Sequence, residues 1–369
     1  MRSQISLTKY PATALRVALS GLAVVATLGV QSVRAEDGSL TVYTESNSAA
    51  GNQLLIYAQR EDGSLAFFRS LSTHGIGSGG GLSNQGALAI SSDGSLLFAV
   101  NAGSNTISVF HVGGERTEFI ATVPSGGTTP VSLATYGDLL YVLNQGSDEI
   151  TGFRVHDGGL LEPLPGSKQS LSGAGVGGAE LSFSSDGDFL VATEKLGSEI
   201  GVFALIDDIA QAGQFRQSYG AVPFGFAIDR RDRLVVSEAG GSAVTSYDLD
   251  GGVLSVISGS VPTGQAAACW VAETPNGRFA FTGNAGSGSV SEFSVDHAGR
   301  LVELGSTQIG TGAHTTDLAV SPNSKVLFAL DGGIGTINGM RIGTDGHLTP
   351  LPAMVSSSLL TAATGLVVR

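Results

Sequence analysis

One six-residue phrase returns seven times along this chain of 369 residues. It reads LTVYTE (40–45), LLFAVN (96–101), LLYVLN (139–144), FLVATE (189–194), RLVVSE (233–238), FAFTGN (279–284) and VLFALD (326–331). Every copy is a short apolar run closed by Asn, Glu or Asp. In six of the seven, an aromatic residue or Met follows nine positions later, at Phe110, Phe153, Phe203, Tyr247, Phe293 and Met340. The first copy has a longer turn and places Tyr57 twelve residues on. Runs this short, bounded by turn residues, are strands. A repeat of about 45 residues built from strands alone buries its faces by packing on copies of itself around an axis, which is a β-propeller.

A further strand precedes six of the copies: ALAIS (87–91), VSLAT (131–135), LSFS (181–184), GFAID (225–229), WVAET (270–274) and DLAVS (317–321). These are rich in Ala, Ser and Gly, as strands crowded around an axis must be. The missing seventh is GLVVR (365–369) at the C-terminus. It is expected to supply the innermost strand of the first blade, whose other strands come from residues 40–71. The reading is therefore all-β, a seven-bladed propeller of four-stranded antiparallel blades forming one domain over residues 36–369. Closure by the last strand removes an edge that would otherwise pair with other chains.

Turn chemistry divides the two faces of the disc. Asp93-Gly94, Asp186-Gly187 and Asn276-Gly277 sit between first and second strands, where tight hairpins need positive φ. Asp62-Gly63, Asp157-Gly158, Asp250-Gly251 and Asp345-Gly346 sit between third and fourth strands. Because strands alternate in direction, both classes share one face. The loops between blades and between second and third strands share the other, and a ligand site is expected there, at the channel mouth. The glycine-rich stretches 75–81 and 173–178 lack the strand–loop–helix context and the following Lys-Ser or Lys-Thr of phosphate loops, so they read as channel rims.

The first 35 residues are different material. Arg2, Lys9 and Arg16 precede an apolar run from Val17 to Val30, and Val33-Arg34-Ala35 then offers small residues at the positions a signal peptidase reads. Residues 1–35 are expected to be a cleaved signal peptide, which puts the mature chain in the periplasm or outside the cell, with no membrane insertion after cleavage. Removal takes four of 19 basic residues and no acidic ones, leaving 15 against 32 acidic residues, a formal charge of −17. Such a surface repels nucleic acid, which needs clustered Lys or Arg. With Cys269 as the single cysteine, no intramolecular disulfide is available and sheet packing must hold the fold.

The strings SNQGA (83–87), FAVNAGSNTISVF (98–110), VPFGFA (222–227) and AACWV (267–271) are similar to the seven-bladed propeller lactonase family. That family includes bacterial 6-phosphogluconolactonase of the propeller type and the fungal carboxymuconate-lactonising enzymes. The likeness runs over about residues 39 to 369. It implies a site at the channel mouth built from a His, two Arg and a Glu. At the matching positions stand Ala179, Phe224 and Ala266, and only the Glu is kept, as Glu238. Two arginines clamp carboxylate or phosphate oxygens, which Phe and Ala cannot do. A phosphorylated sugar lactone is thus a poor candidate, and Phe224 with Trp270, the only tryptophan, points to a neutral or apolar ligand at the mouth.

Two functions follow from these residues. In the first, a lactone or cyclic ester is hydrolysed, with Glu238 activating water and His314 or Gln85 polarising the carbonyl or protonating the leaving oxygen. Glu180, Glu194, Phe224, Trp270, Gln85 and His74 would contact the substrate. In the second, the same mouth binds a small molecule, or the rims a protein, without turnover. Glu194 and Glu238 also have a plainer reading, as capping residues of a turn repeated in every blade. His74 and His314, in corresponding inter-blade loops, are otherwise solvated loop histidines. No His pair has zinc-ligand spacing and no cofactor motif is present. The expected partner is a small molecule bound by a monomer.

Overall fold

In the computed structural model the described residues are 40–113, 116–310, 312–352 and 356–369; the expected signal peptide lies outside them. Seven antiparallel sheets succeed one another along the chain. The six complete blades begin with inner strands Leu88–Ile90, Pro130–Tyr136, Gly178–Phe183, Pro223–Ile228, Ala268–Glu273 and Thr315–Val320. They are blades 2 to 7. Blade 1 is made of Thr41–Glu45, Gln53–Gln59 and Leu65–Ser72, with Thr364–Val368 hydrogen-bonded along Thr41–Glu45 as its inner strand. The register there sets Val42 opposite Val368, Tyr43 opposite Val367 and Thr44 opposite Leu366. Arg369 and Thr41 exchange backbone bonds of 2.8 and 2.9 Å at the end of this pair. The expected closure is what the chain does.

The repeated phrase forms the second strand of every blade, and its apolar residues are almost wholly buried. The residues nine positions on, from Phe110 to Met340, lie opposite it on the third strand and are buried too. Core clusters form where neighbouring blades meet; Phe98 and Val109 of blade 2, for example, belong to the same cluster as Leu133 and Tyr141 of blade 3. Burying one such aromatic contributes about 2–3 kcal/mol, and the ring repeats the contribution blade by blade. The tight turns behave as their Asx-Gly pairs require: Gly187 has φ +81°, and a Cβ there would sit 2.2 Å from the Tyr136 ring.

One irregularity positions the site. The inner strands of blades 3 to 7 each carry a β-bulge near their start, between Pro130 and Ser132, Gly178 and Glu180, Pro223 and Phe226, Ala268 and Trp270, and Thr315 and Asp317. Bulges re-aim the following side chain. Glu180, Trp270 and Asp317 all follow one, at equivalent positions of the channel wall. No helix among the described residues is long and apolar enough to cross a membrane.

Candidate active site at the channel mouth

The residue ending each second strand recurs in all blades, and its side chain ties the local hairpin to the incoming inter-blade loop. Asn101 donates to Ser108 (2.8 Å) and accepts from Thr73 (2.7 Å) and Asn52 (3.1 Å). Asn144 donates to Thr151 and to the Ser125 carbonyl, and Asn284 to Ser289 and Ser291. The acidic members do the same with accepted bonds. Glu194 accepts from the Ser172 amide (3.0 Å) and hydroxyl. Glu238, 1% exposed, accepts from the hydroxyls of Thr245 and Ser260 (2.6 Å for Ser260). Both Glu238 oxygens thereby accept hydrogen bonds inside blade 5. Asp331 accepts from the amides of His314 (3.0 Å), Gly333 (2.9 Å) and Ile334 (3.1 Å). It thus fixes the loop that carries His314.

The mouth is crossed by residues 82–86, which enter from the glycine-rich loop between blades 1 and 2. Asn84 donates to the Val131 carbonyl of blade 3, accepts from Thr364 of blade 1 (3.0 Å), and offers its backbone carbonyl to the Trp270 indole N–H at 2.7 Å. Gln85 donates its backbone amide to Ala179 of blade 4 (3.1 Å). Its carboxamide brackets Val271 of blade 6, donating to the carbonyl (2.6 Å) and accepting from the amide (2.9 Å). Two residues, Asn84 and Gln85, therefore strut blades 1, 3, 4 and 6 together. The carboxamide of Gln85 is consumed in this strut.

A cleft of about 250 Å³ opens beside the crossing segment. Its walls include Ser83, Asn84, Trp270, His314, Thr316 and Thr364. His314 is exposed, and its imidazole carries no hydrogen bond from a described residue. Trp270 meets Phe224 edge-on, with centroids 5.2 Å apart. The structure thus brings His314 and Trp270 into one cleft and sets Phe224 and Gln85 directly behind it. His74 does not join them: it packs on Phe119, in the outer strand Glu118–Pro124 of blade 2, with centroids 4.2 Å apart.

Two features escaped the sequence reading, one at this mouth and one along the inner strands. The first is Lys195, whose Nζ donates to the Ser83 carbonyl and lies 5.1 Å from the centroid of the Phe224 ring. Burial pushes its ammonium down to about 8, opposed by the nearby Cys269. The signal was available: the residue following each repeated phrase is otherwise Ser46, Ala102, Gln145, Ala239, Ala285 or Gly332. The second is the burial of the acids on inner strands, of which Glu180 alone was expected at the site. Asp317 is 2% exposed and pushed up to about 8 by burial, with the Leu318 amide (2.8 Å) opposing. Glu180 is raised well above the carboxylate range by burial, while the Phe226 amide (2.6 Å) lowers it and the Asp317 charge raises it further. Glu273 is pushed up to about 8, chiefly by burial.

A closed seven-bladed ring with a cleft at one end of its axis is the class that fold and geometry define. The family model of the seven-bladed β-propeller lactonases matches residues 50–170, 165–269 and 237–359, and the chain belongs to that family. Among solved structures, a candidate 6-phosphogluconolactonase from Bacteroides fragilis is 19% identical, with TM-score 0.74, covering 90% of this chain and 98% of its own. A second, from Bacteroides uniformis, is 19% identical, with TM-score 0.75 and coverages of 89% and 99%. The periplasmic gluconolactonase of Pseudomonas aeruginosa is 17% identical, with TM-score 0.70 and coverages of 89% and 98%. A comparison with curated proteins finds no match.

Proposed function

We propose that this chain is an exported hydrolase of neutral, unphosphorylated lactones, acting in the mouth cleft. The observation that carries the reading is the cleft's lining: an imidazole, an indole and the hydroxyls of Ser83, Thr316 and Thr364, with no Lys, Arg, Asp or Glu among the described residues there. An uncharged hydroxylated ring matches such a wall, whereas a phosphate would find no cation in it. The Pseudomonas aeruginosa relative is named for a periplasmic gluconolactonase, which agrees in both compartment and substrate charge.

In this reading His314 takes a proton from water as the oxygen attacks the lactone carbonyl carbon. The carbonyl oxygen gathers negative charge and draws on the Ser83 and Thr316 hydroxyls. The ring C–O bond then breaks, and the imidazolium returns its proton to the departing alkoxide, giving a hydroxy acid. Asp331 acts at one remove, by holding the His314 backbone. Glu238, the base expected from the family match, is given no step in this reading; its oxygens accept from the Thr245 and Ser260 hydroxyls.

One observation favours a binding propeller instead: among the described residues no carboxylate bonds the His314 ring, since Asp331 reaches only the backbone. The test is hydrolysis of glucono-1,5-lactone and aliphatic δ-lactones by residues 36–369, measured above the spontaneous rate and beside a phosphorylated lactone. Turnover of the neutral compounds, lowered about 100-fold or more in His314→Gln, supports the hydrolase. Absence of turnover, with the same lactones bound at equilibrium, establishes the binding propeller.

A further inference from the structure

The two faces of the disc differ in charge. Fourteen loops make up the mouth face, seven between blades and seven between second and third strands. Among their described residues, Asp148 and Lys195 are the only Asp, Glu, Lys or Arg. Both are tied down, Asp148 by the Gly175 amide (2.7 Å) and Lys195 by the Ser83 carbonyl. The turns of the opposite face carry Asp93, Asp138, Asp186, Asp229, Asp232 and Asp296 among others, in a chain with 32 acidic against 19 basic residues. The mouth face is also ordered in advance. Asn47 accepts from the Ser78 amide (2.7 Å) and donates to its hydroxyl (2.9 Å), and Asp331 and Asn101 fix the loops beside them.

Apolar side chains interrupt this neutral face at two equivalent places. The loop after the repeated phrase reads AGSN (102–105), QGSD (145–148), AGGS (239–242) and AGSG (285–288) in blades 2, 3, 5 and 6. In blade 4 it is KLGS (195–198) and in blade 7 GGIG (332–335). Leu196 and Ile334 are both exposed, Leu196 to 77%. The connection leaving each of these blades exposes a second large residue, Tyr219 after blade 4 and Leu359 after blade 7. Blades 4 and 7 stand three places apart in a ring of seven, so the two pairs flank the mouth from nearly opposite sides.

We propose that the mouth face is a self-association surface, on which a second copy of this chain sits face to face about a two-fold axis. A face without free charge offers nothing to a polycation, a nucleic acid or an anionic lipid, and burying it strips no ion of its water. The partner that shares this property is the same face on another copy. That approach is also the one that keeps the acidic turns of two like-charged bodies farthest apart. A two-fold axis in the plane of the face, passing between the two pairs, lays Leu196 and Tyr219 of each copy over Ile334 and Leu359 of the other, as an isologous interface requires. The monomer expected from the sequence is then the dilute form. In the dimer both clefts open into one shared space that small molecules reach and large polymers do not. The proposal holds whatever ligand the cleft takes.

Sedimentation velocity of residues 36–369 across the micromolar range tests it. The expected result is a monomer–dimer equilibrium that tightens about tenfold between about 0.02 and about 0.5 M NaCl, as the Debye length shrinks from about 20 to about 4 Å and the acidic bodies are screened from one another. Leu196→Glu and Ile334→Glu should each weaken it about tenfold or more. Leu196→Glu combined with Ile334→Lys should recover most of that loss, because each Glu then meets a Lys across the interface. Ile206→Glu, at an exposed apolar residue of the opposite face, should leave association as it was, and unaltered melting temperatures show that the variants fold. A monomer at every concentration overturns the proposal, and one that co-sediments with phosphatidylcholine vesicles gives the face to a lipid surface instead. A dimer that weakens in salt, or that ignores Leu196→Glu and Ile334→Glu, overturns the mouth face as its interface; failure of the Glu/Lys pair to recover overturns the two-fold pairing. Lactone turnover by a strict monomer would keep the proposed function and lose the dimer.

Discussion

Acidic side chains occupy two rings of this molecule, and they live under different physics. At the strand ends, Glu238 and Asp331 face hydroxyls and amides supplied by the adjoining hairpin and loop. On the inner strands, Glu180, Glu273 and Asp317 are pushed upward chiefly by burial. The strand-end positions recur in every blade, so they are part of how the ring is built. The inner-wall acids replace the Ala, Ser and Gly usual in such strands, and the structure holds them with few donors. Glu45 marks the boundary between the two groups. Among the described residues it is bonded by Asn52 alone (3.0 Å), with its other oxygen unpartnered, and its carboxyl is raised well above the usual range by burial. What recurs bears the structure, and what departs from the recurrence is where chemistry should be sought.

The comparison can be broken first at Glu238. Glu238→Leu strands the buried Thr245 hydroxyl and the half-buried Ser260 hydroxyl and should cost about 3 kcal/mol, read as a lower midpoint in urea at unchanged slope. Glu238→Gln keeps one acceptor and should cost about 1 kcal/mol. A Gln variant that folds like the parent yet loses lactone turnover would move Glu238 back among the catalytic residues and sink the comparison.

The inner wall makes a pH prediction of opposite character. Asp317 keeps its proton in the folded chain up to about pH 8, while the unfolded chain releases it near 4. Its stabilising contribution is full below pH 4 and is lost as the pH rises through 8. The melting temperature should therefore fall between pH 5 and pH 8, with Asp317 accounting for about 3 kcal/mol. Asp317→Asn should flatten that slope and raise stability at pH 8. An unchanged slope would show that the inner wall is better solvated than its burial implies.

The smallest effect is expected at the strut. Trp270→Phe keeps the ring against Phe224 but removes the donor to the Asn84 carbonyl, costing about 1 kcal/mol. It should weaken binding of neutral lactones more than it lowers the melting temperature. Equal effects on both would return Trp270 to the core.

How much of this was legible in the sequence follows from what a repeat can and cannot say. Blade number, strand order and ring closure were readable because each copy states the same local pattern and the absent inner strand had one candidate. The cleft was half readable: His314 and Trp270 stood out as departures. Lys195 departs from its repeat as well, but its meaning depends on Ser83, 112 positions away. The Trp270–Asn84 bond spans 186 positions. Glu238 was salient by kinship, while the hydroxyls of Thr245 and Ser260 that bond it are unremarkable in a strand sequence. The carboxamide of Gln85 was expected at a substrate and is spent on Val271 for the same reason: spacing along the chain does not reveal a partner four blades away.

The exchange of backbone bonds between Thr41 and Arg369 places the two ends of the described fold where every other blade has its first hairpin turn. Blade 1 is thus an ordinary blade with that turn cut. A short Ser-Asp-Gly-Ser linker from Arg369 to Leu40 would restore it, and the cut could be moved to Asp93-Gly94 or Asp186-Gly187 by circular permutation. The ring has a start and a finish only because a chain must have them; its geometry treats all seven such corners as equivalent.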